Sequence, residues 1–166
     1  MLCRPGLPQG ETLACDPMQQ APDGLTVTYQ PEGSAGLGKL EVSASVPPFA
    51  GTARGYFNDD DLRAFAAGIS AYPVPDGARP QLSAGLEDQE TVGLTVFQVS
   101  RRGQLGVEID LAVIDDDRHS PTSGMVPSAG MLMLTSYNAL QQFASGLRAA
   151  VDMQGGTARL PIDRLA

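Results

Sequence analysis

The chain has few of the residues that ordinarily build metal sites and covalent catalytic centres. Its 166 residues include two cysteines, Cys3 and Cys15, and a single histidine, His119. A zinc knuckle requires four ligands at short paired spacings, which two distant cysteines do not supply. Neither cysteine has a candidate base nearby in the sequence for nucleophilic catalysis. We therefore expect free thiols, no metal or other cofactor, and no enzymatic activity.

Long apolar runs and basic clusters are also missing. No apolar run approaches the ~20 residues that a membrane span requires, and the N-terminus lacks the basic start and apolar centre of a secretory signal. These features predict a cytoplasmic protein without a membrane partner. The 11 Lys and Arg are scattered and stand against 19 Asp and Glu, which gives a net charge of -8. Nucleic-acid binding requires clustered Lys and Arg, so the balance excludes a nucleic-acid partner and favours a basic protein.

What the sequence does contain is a succession of strand patterns separated by turns. Residues 1–24 hold Pro, Gly and Gln without periodicity, which predicts a loosely ordered leader. Beyond them, apolar and polar residues alternate with a period of two, as in strands with one buried face. The predicted strands are 25–29, 40–46, 49–57, 82–86, 92–99, 105–114 and 126–135. The last of these has a continuous apolar run that predicts burial on both faces, and the tail 155–166 either adds a short strand or trails.

Two helices are predicted, and their apolar residues match at a constant offset. Leu62 aligns with Leu140 and Phe65 with Phe143, 78 positions apart in both cases. Each helix has an apolar stripe at three- and four-residue spacing and a polar capping residue in front of it. The first helix is expected to have Asn58 or Asp59 as its N-cap and to end near Tyr72. The second helix is expected to have Ser136 as its N-cap.

These elements predict a single α+β domain over residues 25–166. Hairpin succession favours a mainly antiparallel sheet of about six or seven strands, with both helices packed on one face. The matching helices predict an internal pseudo-repeat with halves 25–73 and 80–152, each consisting of strands followed by a helix.

The loop around His119 is the first candidate for chemistry. It contains three carboxylates and one imidazole, which are cation ligands, but its spacing matches no calcium loop. A Ser-His-Asp hydrolase would also depend on His119, and no Gly-x-Ser-x-Gly turn accompanies it. We interpret the segment as a solvated loop.

Clusters of carboxylates are the strongest candidates for contact with a partner. Adjacent carboxylates repel one another unless cations relieve them, so they suit the Lys and Arg residues of another protein. The predicted partner-binding residues are Asp115, Asp116, Asp117, Glu87, Asp88, Glu90, Asp59 and Asp60. The alternatives are a solvated surface and, for Asp59 and Asp60, charges that oppose the dipole of the first helix.

Several short motifs of core and turn residues point to a known family. They are Phe49-Ala50-Gly51, Tyr56-Phe57, Asp61-Leu62-x-x-Phe65, Arg102-Gly103-Gln104-Leu105, the strand before Tyr137, and Leu140-x-x-Phe143-x-x-x-Leu147. Through them the chain resembles, from residue 25 to residue 151, the WapI-type immunity family, small cytoplasmic bacterial proteins thought to neutralise the C-terminal domain of a polymorphic toxin. The family hairpin often carries Gly-His where this chain has Gly103-Gln104. The resemblance implies an α+β binding protein without enzymatic activity, and it transfers no active-site residue.

The sequence therefore yields two main functional hypotheses and a third possibility, an enzyme built around His119. The first is a non-enzymatic immunity protein that neutralises a basic toxin domain by stoichiometric binding through an acidic surface. The alternative is a small-molecule or metal-binding domain that uses a sheet face left uncovered by the helices.

Overall fold

A computed structural model describes residues 23–33, 36–75, 77–85, 91–100, 104–113 and 127–163. The predicted leader, residues 1–24, lies outside this set except for Asp23 and Gly24. Within the described residues the chain forms eight strands and two helices. In chain order they are β1 (Gly24–Pro31), β2 (Leu37–Val46), β3 (Phe49–Asn58), α1 (Asp59–Ile69), β4 (Gln81–Ala84), β5 (Thr91–Gln98), β6 (Gln104–Ala112), β7 (Ser128–Ser136), α2 (Tyr137–Asp152) and β8 (Gly156–Pro161).

The predicted strands and helices are confirmed, with small differences at their ends. Asn58 is the N-cap of α1, and its side chain accepts a hydrogen bond from the Asp60 amide at 2.9 Å. Ser136 caps α2 as expected. Helix α1 ends at Ile69 rather than near Tyr72, because the amides of Ser70 and Ala71 donate to the carbonyls three residues back, of Ala67 and Gly68, and tighten the last turn. The tail contributes β8.

The strands form two antiparallel sheets of four strands, so the prediction of one sheet with six or seven strands is corrected. Sheet A has the order β3-β2-β1-β8 and sheet B the order β4-β5-β6-β7. Helix α1 separates β3 from β4, and β4 then pairs with β5 instead of continuing sheet A. One backbone hydrogen bond, from Gly85 to the carbonyl of Tyr56 at 2.8 Å, joins the two sheets at this edge.

The helices contact both sheets rather than one face of a single sheet. Helix α1 packs against α2, β3 and β4, while α2 packs against β1, β7 and β8. The helices run antiparallel, since Arg63 near the start of α1 pairs with Asp152 at the end of α2 at 3.5 Å. Arg148 reaches back to the Ala66 carbonyl at 3.1 Å. The buried apolar side chains of both sheets and both helices form one cluster.

Strand β7 differs from its predicted burial on both faces. It is an edge strand of sheet B, and its side chains alternate between the core and the surface. Met131 and Met133 are buried, whereas Leu132 is 55% exposed. A continuous apolar run is therefore present in a strand with only one buried face, which leaves an apolar side chain on the outside of the sheet.

Strand pairing in the two sheets follows the same register. Each residue pair between β1 and β2 has a counterpart between β5 and β6 that lies 67 positions later, as Gly24 with Ser45 and Thr91 with Ala112 illustrate. The next strands, β3 and β7, are related by an offset of 78 positions instead. The two helices have this same offset. The bond from Gly85 to Tyr56 likewise has a counterpart 78 positions later, from Asp163 to Leu134 at 2.9 Å.

The edge where the sheets meet generates a first prediction. A Cβ atom at Gly55 would lie 2.8 Å from the backbone carbonyl carbon and oxygen of Ala84, and backbone atoms cannot move aside without separating β3 from β4. We expect Gly55→Ala to lower the free energy of unfolding by about 1–3 kcal/mol, measured by urea denaturation.

Gly51→Ala is the matched control, because Gly51 lies on the same strand and the nearest atom to its added Cβ is a side-chain methyl of Leu111 at 3.3 Å. Such a methyl group can rotate away, so the smaller loss is expected here. Equal losses for the two variants would contradict the close approach of the backbones at Gly55.

Candidate partner-binding surface

The six predicted acids from 87 to 117 lie outside the described residues, as do Cys3, Cys15 and His119. The strand ends that flank the two acid-bearing segments are described. Thr91 pairs with Ala112, Ala112 pairs with Ser128, and Ala84 pairs with Val92. Segments 86–90 and 114–126 therefore start and finish at the same end of sheet B, which we call the acidic end.

Two further carboxylates approach the acidic end along the outer face of sheet B. Glu108 and Asp110 alternate with buried residues of β6, and Asp110 is exposed. Asp110 lies between Gly93 and Gly130 in the neighbouring strands, so neither of its cross-strand partners has a side chain. None of the ion pairs found among the described residues includes Glu108 or Asp110. The period of two in the sequence places both on the polar face of the strand, and the register shows which strand residues lie beside them.

Apolar side chains share this outer face with the carboxylates. Leu132 of β7 is the cross-strand partner of Glu108. Two positions before Glu108 in β6, Gly106 lies between Leu134 of β7 and Phe97 of β5. Leu132 is exposed, while Leu134 and Phe97 are half-buried, and apolar groups beside charges are the usual anatomy of a protein interface. The outer face of sheet B therefore combines both components that a protein partner requires.

The outer face of sheet A has a different chemistry. It carries Lys39, Arg54 and Arg159 against Glu41, and Glu41 accepts a hydrogen bond from Arg54 Nε at 2.9 Å. Hydroxyl groups cover much of the remaining face, and they belong to Thr26, Thr28, Ser43, Ser45, Thr52, Thr157 and the exposed Tyr56. The surplus of negative charge on a sheet face thus belongs to sheet B.

The structure separates the two predicted acids at the start of α1. Asp60 is exposed and lies 3.5 Å from Arg63. Asp59 is only 4% exposed and accepts a hydrogen bond from the Tyr29 hydroxyl at 3.0 Å. Its carboxylate is directed into the core and is unsuited to contact with a partner, so it leaves the proposed contact set. Three consecutive aspartates do not reveal this difference, because it depends on a tyrosine 30 positions away.

Tyr29 is the residue whose titration this contact changes. Burial of the phenol, reinforced by its hydrogen bond to Asp59 and by the negative charge of Asp59, raises the pKa of Tyr29 above its ordinary value, and Arg63 acts in the opposite direction. The neutral phenol is therefore favoured in the folded state.

The described residues contain no group of three or more His, Cys, Asp and Glu side chains arranged to hold a metal ion. Within the same residues, no helix has the length and apolar character to cross a membrane. Comparisons with protein-family models, with curated proteins and with solved structures gave no match to this chain. The resemblance to the WapI-type family stays a prediction from the sequence.

The contrast between the two aspartates is directly testable. Asp59→Ala leaves the buried Tyr29 hydroxyl without its acceptor, and we expect a loss of ~1–3 kcal/mol in the free energy of unfolding. Asp60→Ala removes an exposed ion pair, for which a change below about 0.5 kcal/mol is expected. Urea denaturation of both variants makes the comparison, and equal losses would show that Asp59 is not a structural residue.

The raised pKa of Tyr29 predicts a loss of stability in alkali. Because the folded-state pKa lies above the ordinary 10.0, the stabilisation by the neutral phenol is fully present below pH 10.0 and is lost as the pH rises through the folded-state pKa. Tyr29→Phe cannot lose this contribution. Its unfolding free energy is expected to fall less than that of the wild type between about pH 9 and 11, and parallel pH profiles from urea denaturation would contradict the assignment.

Proposed function

We propose that this chain is a non-enzymatic cytoplasmic binding protein, an immunity protein that neutralises a basic bacterial toxin domain by stoichiometric binding. The observation that carries the proposal is the common anchoring of the two acid-bearing segments at the acidic end of sheet B. Asp115, Asp116, Asp117, Glu87, Asp88 and Glu90 are the proposed contact residues, with Glu108 and Asp110 beside them and Asp60 more distant.

The charges and the apolar groups of this surface have different tasks. Clustered carboxylates attract Lys and Arg of a partner over several ångströms and raise the association rate. Desolvation of exposed apolar side chains supplies most of the binding free energy in protein interfaces, and Leu132 is placed for this beside Glu108. By covering the functional surface of the toxin, the bound chain would neutralise the toxin without catalysing a reaction.

The proposal extends to the internal repeat. We infer that the two sheet-and-helix units are structural repeats, on the support of their common register and of the matching N-caps Asn58 and Ser136. Equivalent residues lie 67 positions apart in β2 and β6 but 78 positions apart in β3 and β7. The connection between β6 and β7 is therefore 11 residues longer than its counterpart between β2 and β3. Asp115, Asp116 and Asp117 fall in that extra length, and a segment that one repeat lacks is free to serve binding.

Co-expression with the toxin encoded by the neighbouring gene tests the immunity function. Cells are expected to survive with the wild-type chain and to die without it. If the toxin kills equally well in both cases, the immunity function is wrong.

A charge series tests the surface separately. Replacement of Asp115, Asp116 and Asp117 by Asn is expected to slow toxin association by about tenfold at low salt and to flatten its salt dependence, measured by surface plasmon resonance. Glu108→Gln is expected to slow it to a smaller extent. Glu41→Gln, on the outer face of sheet A, is the matched control and is expected to leave the rate unchanged. Neutralisation with an unaltered rate in all variants would retain the immunity function and reject the acidic surface.

A further inference from the structure

A cleft lies at the end of sheet B opposite the acidic end. It has a volume of about 260 Å³ and is formed between residues 77–79, just before β4, and residues 97–100, at the end of β5. Phe97 is six residues along β5 from Thr91, roughly 20 Å at the usual rise of a strand. The cleft and the acidic end are thus separate places on the sheet.

Arg79, an exposed residue, lines this cleft. The guanidinium carbon of Arg79 lies 5.1 Å from the centre of the Phe97 ring, a cation–π contact. Phe97 is itself fixed against the backbone of Gly106, where an added Cβ would lie 2.5 Å from the ring. No ion pair among the described residues includes Arg79. Stacking restrains the guanidinium and leaves its in-plane N–H donors available for a ligand.

Ser100 lines the same cleft, and its hydroxyl has no hydrogen-bond partner within the part of the chain that the structure describes. Ser100 Oγ is buried and bonds to no described residue, although most buried polar atoms in folded proteins are satisfied. The backbone beside it is held in place, since Gln98 Nε2 donates to the Ser100 carbonyl at 3.1 Å. Val99, which is 47% exposed, adds apolar surface to the cleft. A ligand that offers an acceptor to Ser100 would remove the cost of the unsatisfied hydroxyl.

We propose that this cleft binds a small organic carboxylate. The two in-plane oxygens of a carboxylate match the N–H fork of a single arginine in a bidentate pair, and one of them can also accept from the Ser100 hydroxyl. An apolar body next to the carboxylate would contact Val99. The volume limits the ligand to a small acid, because it lies below the usual range for drug-sized ligands. The negative charge of the whole chain opposes anion binding, so recognition depends on Arg79.

Titration of the ¹⁵N-labelled chain with benzoate tests this site by NMR, with benzamide as the neutral isostere and inorganic phosphate as the tetrahedral anion. Saturable amide shifts are expected with benzoate for residues 77–79 and 97–100, with weaker or absent shifts for benzamide and phosphate. Equal responses to benzoate and benzamide would overturn the proposal, and so would saturation by phosphate alone or the absence of a saturable shift with benzoate.

Two variants and one control assign the effect to the cleft. Arg79→Gln is expected to weaken benzoate binding by about tenfold or more, since it removes a charge-assisted hydrogen-bond pair, and Ser100→Ala to weaken it less. Arg159→Gln makes the same change of charge on the outer face of sheet A and is expected to bind as the wild type does. Equal weakening by Arg79→Gln and Arg159→Gln would reduce the effect to general electrostatics and reject the site. The amide spectra report in the same experiment that each variant is folded.

Discussion

The pairing of β8 with β1 is the contact on which the rest of the structure depends. It joins residues near both ends of the described chain, from Gly24 with Pro161 to Tyr29 with Gly156, and closing so long a loop costs conformational entropy. Burial of Ala158 and Leu160 in the common core offsets that cost. Because β8 directly follows α2, the pairing also fixes the helix over the sheet, and a Cβ at Gly146 would lie only 3.1 Å from that of Ala158.

Closure by β8 also determines which surfaces remain for function. The edges of the two sheets lie next to each other, with one backbone hydrogen bond between Gly85 and Tyr56 and another between Asp163 and Leu134. Neighbouring edges of this kind are less available for pairing with a foreign strand. The inner faces and the apolar stripes of the helices are used by the core. The outer faces of the sheets are thus broad surfaces whose side chains lie outside the core, and the proposed partner binding uses one of them.

Local patterns in the sequence were sufficient for the elements and insufficient for their assembly. Period-two alternation and capping residues such as Ser136 act within a few positions, so strands and helices could be predicted. Whether β4 pairs with β3 or with β5 depends on the helix between them, and local alternation does not encode that choice. The burial of Asp59 by Tyr29 and the stacking of Arg79 on Phe97 likewise join residues 18 or more positions apart. The sequence therefore indicated acidic clusters without distinguishing a structural aspartate from an exposed one.

The matched registers of the two sheets show how similar frameworks present different surfaces. Glu41 and Glu108 occupy corresponding positions in β2 and β6, and each faces a residue of the next strand, Arg54 in sheet A and Leu132 in sheet B. Arg54 binds and neutralises Glu41, whereas Leu132 gives Glu108 no counter-charge from the facing position and adds apolar surface. A single change at the facing position thus converts a self-satisfied ion pair into a carboxylate that has an apolar neighbour. Since the backbone pairing is the same at both sites, the register does not depend on this difference. The exposed Leu132 beside Glu108 is one of the features on which the proposed partner binding rests.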